Sequence, residues 1–171
     1  MGKSTFAERM QKKRHMSVLP LDAVRVAIGA VVPELDIVDG NWDAKIERFF
    51  PALQKLLSCL DSHATDYDYL LEGDCFLPQH VVDLQKRINV KAVFLGVPQM
   101  TVEHLKEHIG KNDWLLQMSE EKQAGMPAWI VEKSKMFQEE CAKHNLPYVE
   151  TGPDFEQGIA RAEQALFGQG I

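Results

Sequence analysis

This chain is poor in the features that would tie it to an oxidising compartment, a membrane or a polyanion. Its three cysteines, Cys59, Cys75 and Cys141, lie far apart with no CxxC pair, which excludes a disulfide framework and suits reduced, packed thiols. No apolar run approaches the roughly 20 residues that span a bilayer, so a membrane helix is not expected. The stretch from Met1 to Met16 is polar and basic without a long apolar core, so neither a signal peptide nor a transit peptide is expected and the location reads as cytoplasmic. A net charge of -6 argues against general nucleic-acid binding. The local basic cluster Lys12-Lys13-Arg14-His15 reads as a solvated helix face. There is no internal repeat, low-complexity segment or linker to divide the chain.

What is present is a regular alternation of helical and β-prone stretches. The 171 residues are enough for one domain with a sizeable core. Lys3 to His15 suits a helix with Phe6, Ala7 and Met10 on one side, followed by a brief strand at Ser17-Val18-Leu19. Asp22 stands where a helix N-cap would precede Ala23 to Val32. Between Asn41 and Leu60, apolar residues recur at spacings of three and four, which predicts a helix with one buried face. Pro51 falls inside it, so the segment either continues through an early-turn proline or splits. Tyr67 to Glu72 predicts a short strand, Pro78 to Arg87 a helix, and the nearly continuous apolar run Val90 to Val97 a strand buried on both faces. Helices are expected over Thr101 to Ile109, Pro127 to His144 and Phe155 to Phe167, with a last strand at Leu146 to Val149. The least regular stretch, Gly110 to Met126, reads as a mobile flap.

Strands alternating with helices predict an α/β fold, with parallel strands in a doubly wound sheet covered by helices on both faces. In such sheets ligands collect at the carboxyl ends of strands. The residues there are Asp22 and Arg25 after the first strand, Glu72 and Asp74 after the second, Pro98 and Gln99 after the third, and Thr151 with Asp154 after the last. The chain opens with Gly2-Lys3-Ser4-Thr5, which matches the end of a G-x-x-x-x-G-K-[ST] phosphate loop at the start of a helix.

In this order the pattern resembles the small P-loop kinases, which include adenylate, shikimate and gluconate kinases and relatives of zeta toxin and 2-phosphoglycerate kinase. The residues that carry the resemblance are Gly2-Lys3-Ser4-Thr5, Leu19-Pro20-Leu21-Asp22-Ala23-Val24-Arg25, Tyr69-Leu70-Leu71-Glu72-Gly73, Val93-Phe94-Leu95-Gly96-Val97-Pro98 and Leu146 to Thr151. It implies a single kinase-like domain over residues 1–171 with a lid at about 101–126, lacking the central N-terminal strand and most of the phosphate loop. The implied activity is ATP-dependent phosphoryl transfer to a small hydroxyl-bearing metabolite or nucleotide, with ATP and Mg²⁺ as cofactors and no nucleic-acid or membrane partner. Residue by residue, Gly2, Lys3, Ser4 and Thr5 would contact the nucleotide phosphates, with Lys3 reaching the terminal ones and Ser4 holding Mg²⁺. Asp22 would orient or deprotonate the acceptor hydroxyl, Arg25 would hold an anionic group, and Glu72 would act on the Mg²⁺ side. Lys111 is the lid candidate for the phosphates.

Each of these residues also has a plainer reading. Lys3 could be a solvated lysine, Asp22 with Arg25 an N-cap and its neighbour, and Glu72 with Asp74 a pair of turn acids around a Gly73 with φ above zero. Between Arg87 and Arg161 the chain has no arginine, and lysine does not reproduce the bidentate arginine fork on a phosphate. That departure keeps a second reading open: a non-catalytic or degenerate nucleotide-binding or interaction protein with a kinase-like fold. His104 and His108 lie four apart without an H-E-x-x-H pattern or a third ligand and read as solvated. Trp114, Trp129 and Phe137 read as core aromatics.

Overall fold

The computed structural model describes residues 2–63, 68–107, 115–152 and 154–168. The chain forms two compact units, Gly2–Lys91 and Ala92–Ile171. Among the described residues, no helix is long and apolar enough to cross a membrane.

The first unit begins with α1 (Lys3–Arg14), whose apolar side buries Phe6, Ala7 and Met10. Its last turn carries Lys12, Lys13 and Arg14, all exposed, where they complement the helix dipole. His15 ends the helix with φ 54°, a left-handed cap that stops propagation. Strand β1 (Ser17–Pro20) pairs in parallel with β2 (Tyr69–Glu72), with Pro20 opposite Glu72. Between them lie α2 (Leu21–Val31), a 3₁₀ turn at Pro33–Leu35 and α3 (Trp42–His63). The spacing of three and four in α3 buries Ile46, Phe49, Leu53 and Leu57 on one face. Pro51 is inside this helix, so the segment is not split in two. The unit closes with α4 (Pro78–Gln85), which begins at a proline whose missing N–H costs nothing in the first turn.

The second unit has β3 (Phe94–Gly96) parallel to β4 (Tyr148–Glu150). Helices α5 (Val102–Glu107) and α6 (Glu120–His144) lie between these strands, and α7 (Phe155–Phe167) follows them. Val97, Leu105, Leu115 and Ile130 form a buried cluster, with Met100, Met118, Met126 and Trp129 packed against it. Phe137, half-buried, stacks on Phe94 at 5.4 Å between ring centroids, and the partly buried Trp129 packs against the cluster. Asn145, with φ 54°, caps α6 in the left-handed region. A Cβ at Gly96 would collide with the Tyr148 ring, and one at Gly158 would meet the Thr151 Cα at 2.9 Å. Both glycines therefore permit close packing around β4.

These pairings overturn the expected doubly wound sheet. The strands form two separate two-stranded parallel sheets, β1-β2 and β3-β4, so the resemblance to the small P-loop kinases fails at its sheet. The physical cause lies in the third strand. The apolar run Val90 to Val97 predicts a long buried strand, yet only Phe94–Gly96 makes a ladder, and among the described residues its partner is β4 alone. The next amide, Val97 N–H, is taken by Ser134 Oγ at 3.1 Å instead of by another strand. Apolar content makes a segment suitable for burial, but ladder partners are chosen by long-range pairing that a continuous apolar run does not encode.

Two boundaries also move. Of the flap expected over Gly110 to Met126, residues 110–114 lie outside the described residues and the chain is helical from Glu120 onward, because Ser119 accepts the Lys122 amide as an N-cap at 3.4 Å and α6 runs through Pro127. Asp22 does not cap α2. Pro20 precedes that helix and Asp22 sits in its first turn, where a carboxylate favours the helix dipole.

Candidate functional site

Several ionisable groups of the first unit, Asp22, Glu72, Asp74 and Cys75 among them, converge where β1 and β2 end. Both strands run in the same direction, so the segments that leave them, Leu21-Asp22 and Gly73-Asp74-Cys75, emerge side by side. Gly73 does not adopt positive φ. Its need is for space, since a Cβ there would lie 3.1 Å from the Leu21 Cβ and 3.6 Å from the Asp22 amide nitrogen. The missing side chain lets the two carboxylates approach.

One ligand atom each from Asp22, Asp74 and Cys75 lie within 4.8 Å of one another. The buried Cys75 thiol donates to Asp22 Oδ1 at 3.5 Å and to Asp74 Oδ1 at 3.8 Å. Trp42, at the start of α3, donates its indole N–H to Asp74 Oδ2 at 3.2 Å. Loss of solvent and the bond to Asp74 push the Asp22 carboxyl up to about 6. Burial pushes Asp74 the same way, but hydrogen bonds from Asp22 and Trp42 and the charges of Lys3 and Arg25 outweigh it and hold Asp74 below the usual carboxylate value. The two acids thus divide the roles: Asp74 stays ionised, and Asp22 is the one that takes up the shared proton as pH falls through about 6. Burial and the same two carboxylates push the Cys75 thiol well above its ordinary value.

The amino end of α1 faces this cluster. Ser4 Oγ donates to Glu72 Oε1 at 3.3 Å, and Lys3 is close enough to lower both Asp22 and Asp74. Gly2 takes the left-handed conformation at the N-cap, φ 78° and ψ 7°, which suits glycine. The first turn of α1 carries no acid and its N-cap makes no side-chain hydrogen bond, so its amides are compatible with an anion. Thr5 is exposed in the same turn.

Arg25 stands beside Asp22, its expected neighbour, and is largely buried. It is 8% exposed, donates to the Ile37 carbonyl at 2.7 Å, and lies 3.6 Å from Asp22. Its guanidinium is committed to holding the segment after α2, while its Nε has no hydrogen-bond partner among the described residues. Lys111 lies outside the described residues, as do His108 and Trp114.

The oxygen donors fit a hard divalent cation. Asp22 and Asp74 are close enough to share a proton, and a dication between them would neutralise both. Cys75 does not fit as a ligand, because a metal would need its thiolate and the surroundings favour the thiol. A nucleotide phosphate at the α1 amides would meet the Glu72 carboxylate beside Ser4, so it fits together with a cation and poorly without one.

Thus Lys3, Ser4, Asp22 and Glu72, singled out in the sequence, are brought together, and Trp42 and Cys75, which were not, join them. Cys75 is adjacent to Asp74, but a lone thiol has no spacing pattern to mark it. Trp42 is 32 residues from Asp74, and only the packing of α3 brings its indole there.

The other unit offers a different kind of concavity. At the carboxyl end of β3, an open groove of about 670 Å³ is lined by Pro98, Met100, Val102, Pro127 and Val131, with Gln99, Thr101 and Glu132 among its polar groups. No protein-family model, curated protein or solved structure matches this chain.

Proposed function

We propose that the Gly2–Lys91 unit is a non-catalytic binding module for a nucleotide phosphate accompanied by a divalent cation such as Mg²⁺, and that the protein works as an interaction protein. The observation that carries this reading is the meeting of the first turn of α1, with Lys3 and Ser4, and the carboxylates of Glu72, Asp22 and Asp74. Amides and an ammonium suit phosphate, carboxylates suit the cation, and a phosphate beside these carboxylates is repelled unless the cation is bound with it. The commitment of Arg25 to Ile37 and Asp22 supports binding without transfer, since a buried, engaged guanidinium is not free to follow charge onto a transferring phosphoryl group. The proposal assigns the protein to the cytoplasm, where the free thiols of Cys59, Cys75 and Cys141 remain reduced.

Isothermal titration calorimetry tests this with Mg²⁺ alone, ATP alone and Mg-ATP. The expected result is binding of Mg-ATP that exceeds either component, weakens at least about tenfold in Lys3→Ala, and leaves the nucleotide intact by ³¹P NMR. Equal binding by the wild-type chain and Lys3→Ala, or no binding at all, would remove the reading.

A second reading, phosphoryl transfer to a small hydroxyl-bearing metabolite, is favoured by one property. A carboxyl raised to about 6, as Asp22 is, suits a general base near neutral pH. Steady ATP consumption with any member of a panel of hydroxyl acceptors, abolished in Asp22→Asn, would replace the binding-only reading with this one.

A further inference from the structure

His80 is a buried histidine, 3% exposed, at the third position of α4. At this place in a helix a Glu or Gln side chain often reaches back to bond the N-cap amide. Here the N-cap is Leu77, whose side chain offers no acceptor, and the Leu77 N–H donates to His80 Nδ1 at 3.3 Å. A nitrogen that accepts this bond must present its lone pair, so the ring proton belongs on Nε2, which lies 3.3 Å from Glu47 Oε2 on α3. The ring is clamped against Phe50, with centroids 3.8 Å apart and planes 10° from parallel. There is little room for it to turn over and present another edge.

We propose that His80 is an acid-sensitive latch on the segment joining β2 to α4. As a neutral ring it holds the Leu77 amide and closes the first turn of α4; as an imidazolium, with protons on both nitrogens, it has no lone pair left and must release that amide. The segment it holds is the one that carries Asp74 and Cys75, so release loosens the side of the candidate site contributed by β2. The latch does not depend on what that site binds.

The charged groups around the ring come from two elements. Glu47 on α3, 55% exposed and also accepting from Gln79, favours the imidazolium, as does Asp83 on α4. Asp83 is already paired with Lys86 at 2.7 Å, and Arg87 lies close enough to act on it as well. Against these solvent-screened acids stand burial and the amino end of the helix, both of which disfavour a cation. Burial prevails, and the ring is held below the ordinary histidine value despite Glu47. Opening by protonation is therefore linked to the gap between the closed and open values, and it grows about tenfold per unit of pH below about 6.5 until the closed ring itself titrates.

Two measurements on the whole chain test the latch. Long-range ¹H–¹⁵N NMR should find His80 as the Nε2–H tautomer with a midpoint below 6.5. Hydrogen exchange should find that the protection factor of the Leu77 amide falls about tenfold per unit of acidification between about 6.5 and that midpoint, while His80→Asn, which keeps an acceptor near the Nδ1 position and cannot titrate, shows no such fall. An Nδ1–H tautomer, a midpoint at or above the ordinary value, or a Leu77 protection factor that is flat with pH would overturn the proposal. So would the same acid response in His80→Asn. If that variant does not fold, the tautomer and midpoint in the wild-type chain decide the matter alone.

Discussion

The two units place the same piece of architecture, a pair of parallel strands with helices against them, in two chemical states. In Gly2–Lys91 the strand ends lead to Asp22, Glu72, Asp74 and Cys75, with the amino end of α1 aimed at them. In Ala92–Ile171 the corresponding strand ends are closed internally. The Thr151 amide and hydroxyl both donate to the Gly96 carbonyl, at 2.9 and 3.3 Å, and Ser134 accepts the Val97 amide while donating to Ile130. Polar groups that bond one another at a strand end stabilise the fold and leave little to offer a ligand. Charged groups held together at a strand end destabilise it unless a proton or cation joins them, as the shared proton of Asp22 and Asp74 illustrates. Parallel-strand geometry therefore creates the opportunity for a site, and side-chain chemistry decides whether it is used.

The sharpest way to strain this comparison is to damage each core. Phe49→Ala, in α3, and Ile159→Ala, in α7, each remove a side chain that is at most 1% exposed. Each should cost about 2–5 kcal/mol, with Phe49→Ala toward the upper end, read as a lowered denaturant midpoint. A loss well below that range at either position would mean that its unit relaxes around the cavity.

A pair of serine variants separates structure from site. Ser134→Ala should cost about 1–3 kcal/mol in stability by stranding the buried Val97 amide, and should leave Mg-ATP binding unchanged. Ser4→Ala, in an exposed first turn, should do the reverse, leaving the melting temperature nearly constant and weakening Mg-ATP binding about tenfold. If both serines behave alike, the division between a closed strand end and an open one fails.

Stability as a function of pH offers a smaller test within the first unit, because two of its titrating groups, Asp22 and His80, are shifted in opposite directions. Asp22 is raised from 3.8 to about 6, so the proton it retains stabilises the folded chain fully below 3.8, and that contribution is lost as pH rises through 6. His80 is lowered, so its contribution is complete above 6.5 and is lost as pH falls toward the folded value. Asp22→Asn should flatten the loss on the alkaline side of this window and raise stability at neutral pH relative to the wild type. Urea titrations across the window would show it, and an unchanged slope would mean that the acids do not share a proton. Smallest of all should be Lys143→Ala, which removes an exposed partner of Glu140 on α6 and should leave the melting temperature within error.

Local features of the fold were readable from particular residues. The bounds expected for α7, Phe155 to Phe167, are those observed, because the apolar spacing is regular and Asp154 caps the helix by accepting the Gln157 amide at 2.9 Å. The helical spacing between Asn41 and Leu60 and the strand ending at Glu72 were visible for similar reasons, while the pattern left open whether Pro51 splits that helix. Sheet assembly was not. Val90 to Val97 is apolar enough for any buried strand, and nothing local to it states that only three residues will pair or that β4 will be their partner. In the site, Lys3, Ser4, Asp22 and Glu72 could be picked out because strand ends and helix starts are where ligands gather. Arg25 was expected beside Asp22 and lies there, but its bond to the Ile37 carbonyl, 12 residues away across a turn, was not foreseeable from the pattern.

By itself, then, the sequence determined which segments become helices and strands, where most of them stop, and which acids stand at the strand ends, because these follow from periodicity, caps and turns within a few residues. Tertiary structure alone decided that the strands form two pairs, that Asp22 and Asp74 come close enough to share a proton, that Trp42 and Cys75 join them, and that His80 closes a helix from a buried position. Each of these rests on distances between groups far apart in the chain, and at 3–4 Å the energies of charge and hydrogen bonding change too steeply for spacing along the sequence to foretell them.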